Sequence, residues 1–134
     1  MPHDTGRLGT PEEWLNRAKS NLAMARMPKT DEIYWEDLCF ETQQAAEKAL
    51  KALLIFKKIS FRFVHDLAEQ LTLLENSGIV LPDEIRRSAA LTDYSVESRY
   101  PGTFEPVTED DFNDALRTAE SVVLWAETII SGKS

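Results

Sequence analysis

Four groups of residues in this sequence are of types and spacings that can do chemistry. His65 stands beside Asp66 at the start of a helical pattern, and it is the only histidine outside the N-terminal tail. It is therefore the one side chain in the ordered part whose ordinary pKa lies near neutrality, as proton transfer at physiological pH requires. Arg99-Tyr100-Pro101 lies in a Pro- and Gly-containing loop. There Arg99 is a candidate phosphate clamp, and Tyr100 a stacking or hydrogen-bonding partner. Gln44, Glu47, Lys48 and Lys51 recur at steps of three and four, which places them in one stripe of a helix. Glu47 and Lys51 stand in the favourable acid-before-base order. The stripe reads either as a solvated face or as a polar site or dimer seam. Cys39 lies within a helical pattern, where a thiol is ordinarily inert, so it is not expected to be a nucleophile.

Other chemistries lack their residues. One Cys and two His give no pair with zinc-ligand spacing. The acids Glu109, Asp110, Asp111, Asp114 and Glu120 lack the Glu-x-x-His pattern of metal sites in bundles. There is no glycine-rich phosphate loop. No metal and no cofactor is expected.

These residues need a frame, and its centre is the stretch from Cys39 to Phe56, which contains neither Gly nor Pro. Ala45, Ala46, Ala49, Leu50, Leu53 and Leu54 form an apolar stripe and predict a helix with one buried face. Carried back to Asp31, that helix would hold about 26 residues and span roughly 39 Å. An earlier helix is predicted over Pro11 to Arg26. Thr10 and Glu13 cap it, Pro11 takes its first position, and Met27-Pro28 breaks it. Phe61 to Val64 reads as a short extended connector. A third helix follows from Leu67 to about Asn76, capped by His65 or Asp66 and stopped at Ser77-Gly78. Pro82-Asp83-Glu84 opens a fourth, with Ile85, Ala89 and Leu91 inward. Glu97 to Val107 is loop. Thr108 caps a last helix reaching about Ile130, with Gly132 after it. The fold class is all-α, an up-and-down antiparallel bundle of about five helices. Residues 1–9 read as a disordered tail and 10–134 as one helical domain.

Charge narrows the partners. The net charge is −8, which argues against a general nucleic-acid binder, and no DNA partner is expected. The charge is uneven. Asp31 to Thr42 carries five acids and no base, whereas Gln43 to His65 carries five bases and one acid. That order suits the dipole of one helix, and it also leaves room for a local anion-binding surface. No apolar run is long enough to span a membrane, and the N-terminus has no signal-peptide core. With a single cysteine, this indicates a cytoplasmic protein in a reducing compartment.

The segment CFETQQAAEKALKALL, then HDL at a helix start, then SRYP in a loop before a capped last helix, resembles the HEPN domain family. Gln44, Ala46, Glu47, Lys48, Lys51, Ala52 and Leu53 match its helix motif, His65, Asp66 and Leu67 the second block, and Arg99, Tyr100 and Pro101 the third. The likeness runs from about Trp14 to Ile130. It implies a bundle that forms homodimers, binds nucleotide or RNA, and pairs with a minimal nucleotidyltransferase in a toxin–antitoxin-like system. Many members of that family are metal-independent endoribonucleases; here the candidate catalytic pair is His65 and Arg99, which a helix start and a loop could bring to the same end of the bundle. Gln44, Lys48, Lys51, Asp66 and Tyr100 are the candidate ligand-binding set. The sequence departs from the family's ribonuclease signature, an Arg followed four to six residues later by His. Arg62 precedes His65 by only three, and Leu67 stands where some relatives carry a modifiable Tyr. The favoured expectation is therefore a nucleotide-binding or interaction module. A ribonuclease built from His65 and Arg99 is the alternative, and a purely structural bundle is the third reading.

Overall fold

A computed structural model describes residues 9–62, 66–95 and 106–132. Among the described residues five helical elements follow one another: α1 Pro11–Ala25, α2 Trp35–Phe56, α3 Leu67–Asn76, α4 Asp83–Arg86 with its 3₁₀ continuation Arg87–Tyr94, and α5 Glu109–Ser131. No strand occurs among the described residues. The all-α, up-and-down bundle of five helices is thus observed. His65, Arg99 and Tyr100 lie outside the described residues, as do most of the expected tail and most of the expected loop.

Three long helices make the body. Lys19 pairs with Glu127, and Arg26 with Glu120, so α1 runs antiparallel to α5. Asn21 meets Glu41 and Lys48 while Trp14 covers Lys51, so α1 is antiparallel to α2 as well. It follows that α2 and α5 run in the same direction. Their starts are pinned together, with the Trp35 and Phe112 rings 5.1 Å apart and the Val107 N–H donating to Glu36. The apolar stripe of α2 is the core: Ala45, Ala46, Ala49, Leu50, Leu53 and Leu54 are all fully buried. Leu15, Ala18, Leu22 and Ala25 meet it from α1, and Ala115, Ala119, Val122 and Ala126 from α5. Small residues on the long helices let their axes approach closely.

The central helix is shorter than the pattern suggests, 22 residues beginning at Trp35. Residues 30–33 instead form a turn, with Ile33 N–H bonded to the Thr30 carbonyl and Glu32 N–H to the Thr30 hydroxyl. Tyr34 is extended, so the helix starts after it. At the other end Ile59 N–H reaches back to the Leu54 carbonyl at 2.8 Å, and Lys58 takes the left-handed conformation, φ 58°. This six-residue closure normally uses glycine. The fourth helix tightens after one turn. Buried Ser88 donates its hydroxyl to the Ile85 carbonyl three residues back, and the chain continues as 3₁₀ to Tyr94. Thr108 and Asp111 exchange both bonds of a capping box at the start of α5.

Candidate functional site

The expected polar stripe of α2 divides into two rows. Gln43, Glu47 and Lys51 are four residues apart and lie inside the protein, with Gln43 fully buried, Glu47 2 % exposed and Lys51 6 % exposed. The solvated-face reading fails for these residues. Gln44 and Lys48, each one position on, are half-buried, and Lys48 reaches α1. Helical spacing identifies a face and not what lies across it, so it leaves the solvated and the polar-site readings both open. Here α1 lies across it, and the Trp14 indole covers the Lys51 ammonium at 5.6 Å from the ring centre.

The buried row is a chain of directed hydrogen bonds. Gln44 Nε2 donates to Gln43 Oε1 at 2.7 Å, and Gln43 Nε2 donates to Glu47 Oε1 at 2.9 Å. From the other side Lys51 Nζ donates to Glu47 Oε2 at 2.6 Å. Both carboxylate oxygens are engaged, one by an amide and one by an ammonium, and the two charges cancel. Burial of an ion pair is tolerated on these terms, because full hydrogen bonding offsets part of the desolvation cost.

The second row is completed from α1. Lys48 Nζ donates to Asn21 Oδ1 at 2.9 Å, and Asn21 Nδ2 donates to Glu41 Oε1 at 2.7 Å. Asn21 is 5 % exposed. Burial lowers the Lys48 pKa; Glu41 and Glu47 raise it, while Arg17 and Lys51 lower it. Asn21 and Arg17 escape a reading based on charge and periodicity, whereas Gln43 stands beside Gln44 in the polar feature of α2. A polar Asn in the otherwise apolar series Leu15, Ala18, Leu22, Ala25 was the one available signal.

Asp66 is the N-cap of α3, accepting the Ala68 N–H at 3.0 Å. The next residue is tied to the fourth helix, since Leu67 N–H donates to the Thr92 hydroxyl at 3.0 Å. Arg62 pairs with Glu69 on the surface. Cys39 is fully buried, and burial, with Asp111 and Glu36 nearby, pushes its thiol pKa up to about 12. Two adjoining cavities of about 360 and 210 Å³ lie between the 3₁₀ segment and α5. They share Arg87, Asp114 and Thr118, and no lining residue comes from α1 or α2. Among the described residues no group of three or more His, Cys, Asp or Glu converges as metal ligands would. No described helix is long and apolar enough to cross a membrane.

The described residues form a small all-α bundle of five helices with a buried Gln–Glu–Lys row on its central helix. Residues 11–129 match the HEPN domain family, and the chain belongs to it. The crystal structure of ST0689, described as an archaeal HEPN homologue, is 31 % identical. The match covers 91 % of this chain and 98 % of that one, with a TM-score of 0.73. The protein TT1696 from Thermus thermophilus is 27 % identical, with 87 % and 95 % covered and a TM-score of 0.76. A Methanocaldococcus jannaschii protein named "Putative toxin MJ1304" is 26 % identical over 125 residues, covering 82 % of this chain and 81 % of the relative.

Proposed function

We propose that this chain is the HEPN member of a toxin–antitoxin-type pair, a homodimeric module that binds nucleotide or RNA and associates with a minimal nucleotidyltransferase. The observation that carries this reading is the match to the M. jannaschii toxin-named protein along four-fifths of both chains. The partner and the dimer come from the family resemblance. The buried polar rows support a binding role, because a helix needing only to pack would fill those positions with apolar residues at less desolvation cost. The test is expression in a bacterial host, alone and together with the neighbouring gene product, followed by purification. Growth inhibition relieved by a co-purifying nucleotidyltransferase supports the proposal. A protein that is inert, monomeric and unable to bind nucleotide or RNA overturns it.

A ribonuclease built from His65 and Arg99 is the second reading, and one contact favours it. The Leu67–Thr92 bond joins the start of α3, two residues after His65, to the 3₁₀ segment, seven residues before Arg99. On this reading His65 takes the proton from a ribose 2′-hydroxyl, and the 2′-oxygen attacks the adjacent phosphorus. The 5′-oxygen of the next nucleotide leaves and takes a proton from solvent water, and Arg99 stabilises the charge on the pentavalent phosphorane. A 2′,3′-cyclic phosphate results. His65→Ala and Arg99→Ala should each abolish cleavage without lowering the melting temperature; retained cleavage in both variants removes this reading.

A further inference from the structure

The seam between α1 and α2 holds more hydrogen-bond donors than the protein uses. Trp14, Arg17 and Asn21 share one face of α1, at steps of three and four, and Gln44, Lys48 and Lys51 share the facing side of α2. Because the helices are antiparallel, Trp14 meets Lys51 and Asn21 meets Lys48. Arg17 falls between these two contacts, and its charge is felt at Lys48. Arg17 on α1 and Lys48 on α2 thus stand on the facing sides of the seam, with a third cation, Lys51, further along it.

The acids of the seam are already engaged. Glu41 accepts from Asn21, and Glu47 accepts from Gln43 and Lys51. The bases are not. Lys48 places one of its three N–H groups on Asn21, and the other two have no partner among the described residues. Arg17 makes no hydrogen bond or ion pair among the described residues. By contrast Arg26, Arg62, Arg86 and Arg117 are each paired with a carboxylate. Arg87, likewise unpaired among the described residues, sits in a cavity wall with Glu84 and Asp114. Asn21 fixes the Lys48 ammonium by its own oxygen and leaves its remaining donors available. In a protein of net charge −8, two adjacent cations with unspent donors form a local site for an anion.

We propose that Arg17 and Lys48 clamp a phosphate group at the α1–α2 seam, with Gln44 flanking it and Asn21 as the positioning residue that aims Lys48. The phosphate belongs to a nucleotide or to an RNA backbone, and for that source the proposal rests on the nucleotide- or RNA-binding reading above. The guanidinium offers a two-pronged contact and the ammonium a point charge, which together suit a tetrahedral oxyanion.

The experiment titrates the full-length protein with sodium tripolyphosphate, ATP and a single-stranded RNA oligomer, by calorimetry and at several salt concentrations. Arg17 is exposed, so Arg17→Gln should fold like the wild type. Lys48→Gln, checked by its melting curve, is the second variant. Each should weaken tripolyphosphate binding about tenfold, and each should reduce the RNA salt slope by about 0.7. Loss with RNA but not ATP identifies the backbone as the source, and the reverse identifies free nucleotide. Wild-type affinity in both variants, or no tripolyphosphate binding by the wild type, overturns the site. If the variants leave RNA or ATP binding unchanged, the site is wrong and the nucleotide reading survives. If tripolyphosphate binds through Arg17 but neither ATP nor RNA does, the site stands and the nucleotide reading fails. If sedimentation shows Arg17→Gln dissociating a dimer, the donors serve a partner carboxylate and the phosphate proposal is overturned.

Discussion

Replacing Lys51 by Met tests the account of the buried row most directly. Glu47 and Lys51 are joined at 2.6 Å, with side chains only 3 % and 7 % exposed. Removing the ammonium leaves a carboxylate inside the protein with the Gln43 amide on one oxygen. Breaking a buried pair in this way costs about 3–5 kcal/mol, against a total stability of about 5–15 kcal/mol for a domain. Removing the charge from both sides should restore much of this. In Glu47→Gln/Lys51→Met the Gln43 amide keeps an acceptor, and the residual cost is about 1–3 kcal/mol for one imperfectly paired amide. The double variant should therefore be more stable than Lys51→Met alone, although it carries one more substitution. Urea unfolding at 25 °C measures all four proteins of the cycle. With a slope of about 1.5 kcal/mol per M, Lys51→Met should lower the midpoint by about 2–3 M. A single variant within about 1 kcal/mol of wild type, or a cycle whose effects simply add, would refute the buried-pair reasoning.

Three other expectations follow from particular positions. Both polar atoms of the Gln70 side chain are buried without a hydrogen-bond partner among the described residues, so Gln70→Met should raise stability by about 1–2 kcal/mol; a lower melting temperature would contradict this. Lys58 holds a left-handed conformation that glycine adopts freely, so Lys58→Gly should gain about 0.5–1 kcal/mol despite the extra freedom it gives the unfolded chain. A drop in the urea midpoint would show that the lysine side chain matters more than its backbone. The Cys39 pKa is raised in the folded state from 9.0 to about 12, so folding suppresses its thiolate. That contribution is fully present below pH 9 and declines between pH 9 and 12, by about 1.4 kcal/mol per pH unit. Wild type should therefore lose stability through this window faster than Cys39→Ala. Its thiol should resist alkylation at pH 8 until denaturant is added.

The scaffold was legible because periodicity and caps act locally. The α2 stripe, the Asp66 cap, the Thr108–Asp111 box and the span of α3 all appear where the sequence puts them. The start of α2 falls later than its spacing implies, since helical periodicity continues through residues that a Thr30 turn diverts. The 3₁₀ run Arg87–Tyr94 leaves no mark in the pattern, and at its start buried Ser88 donates its hydroxyl to the Ile85 carbonyl. The site was half legible. Gln44, Lys48 and Lys51 stood out by type and spacing, but their environments come from α1, and no one-dimensional pattern announces Asn21 as their partner. His65, Arg99 and Tyr100 fall outside the described residues, so their roles rest on the resemblance and on the experiments above.

Asn21 also has a consequence for how the two helices find each other. The alanines that line α1 and α2 present a smooth surface, along which one helix can slide by a turn, about 5.4 Å, with little change in apolar contact. Asn21 forbids that. Its amide donates to Glu41 and accepts from Lys48, two positions seven residues apart on one face. Displacement in either direction leaves a half-buried ion and a buried amide without partners. Asn21 is thus a register mark: the alanines make the helices adhere, and the amide decides where along their length they stop.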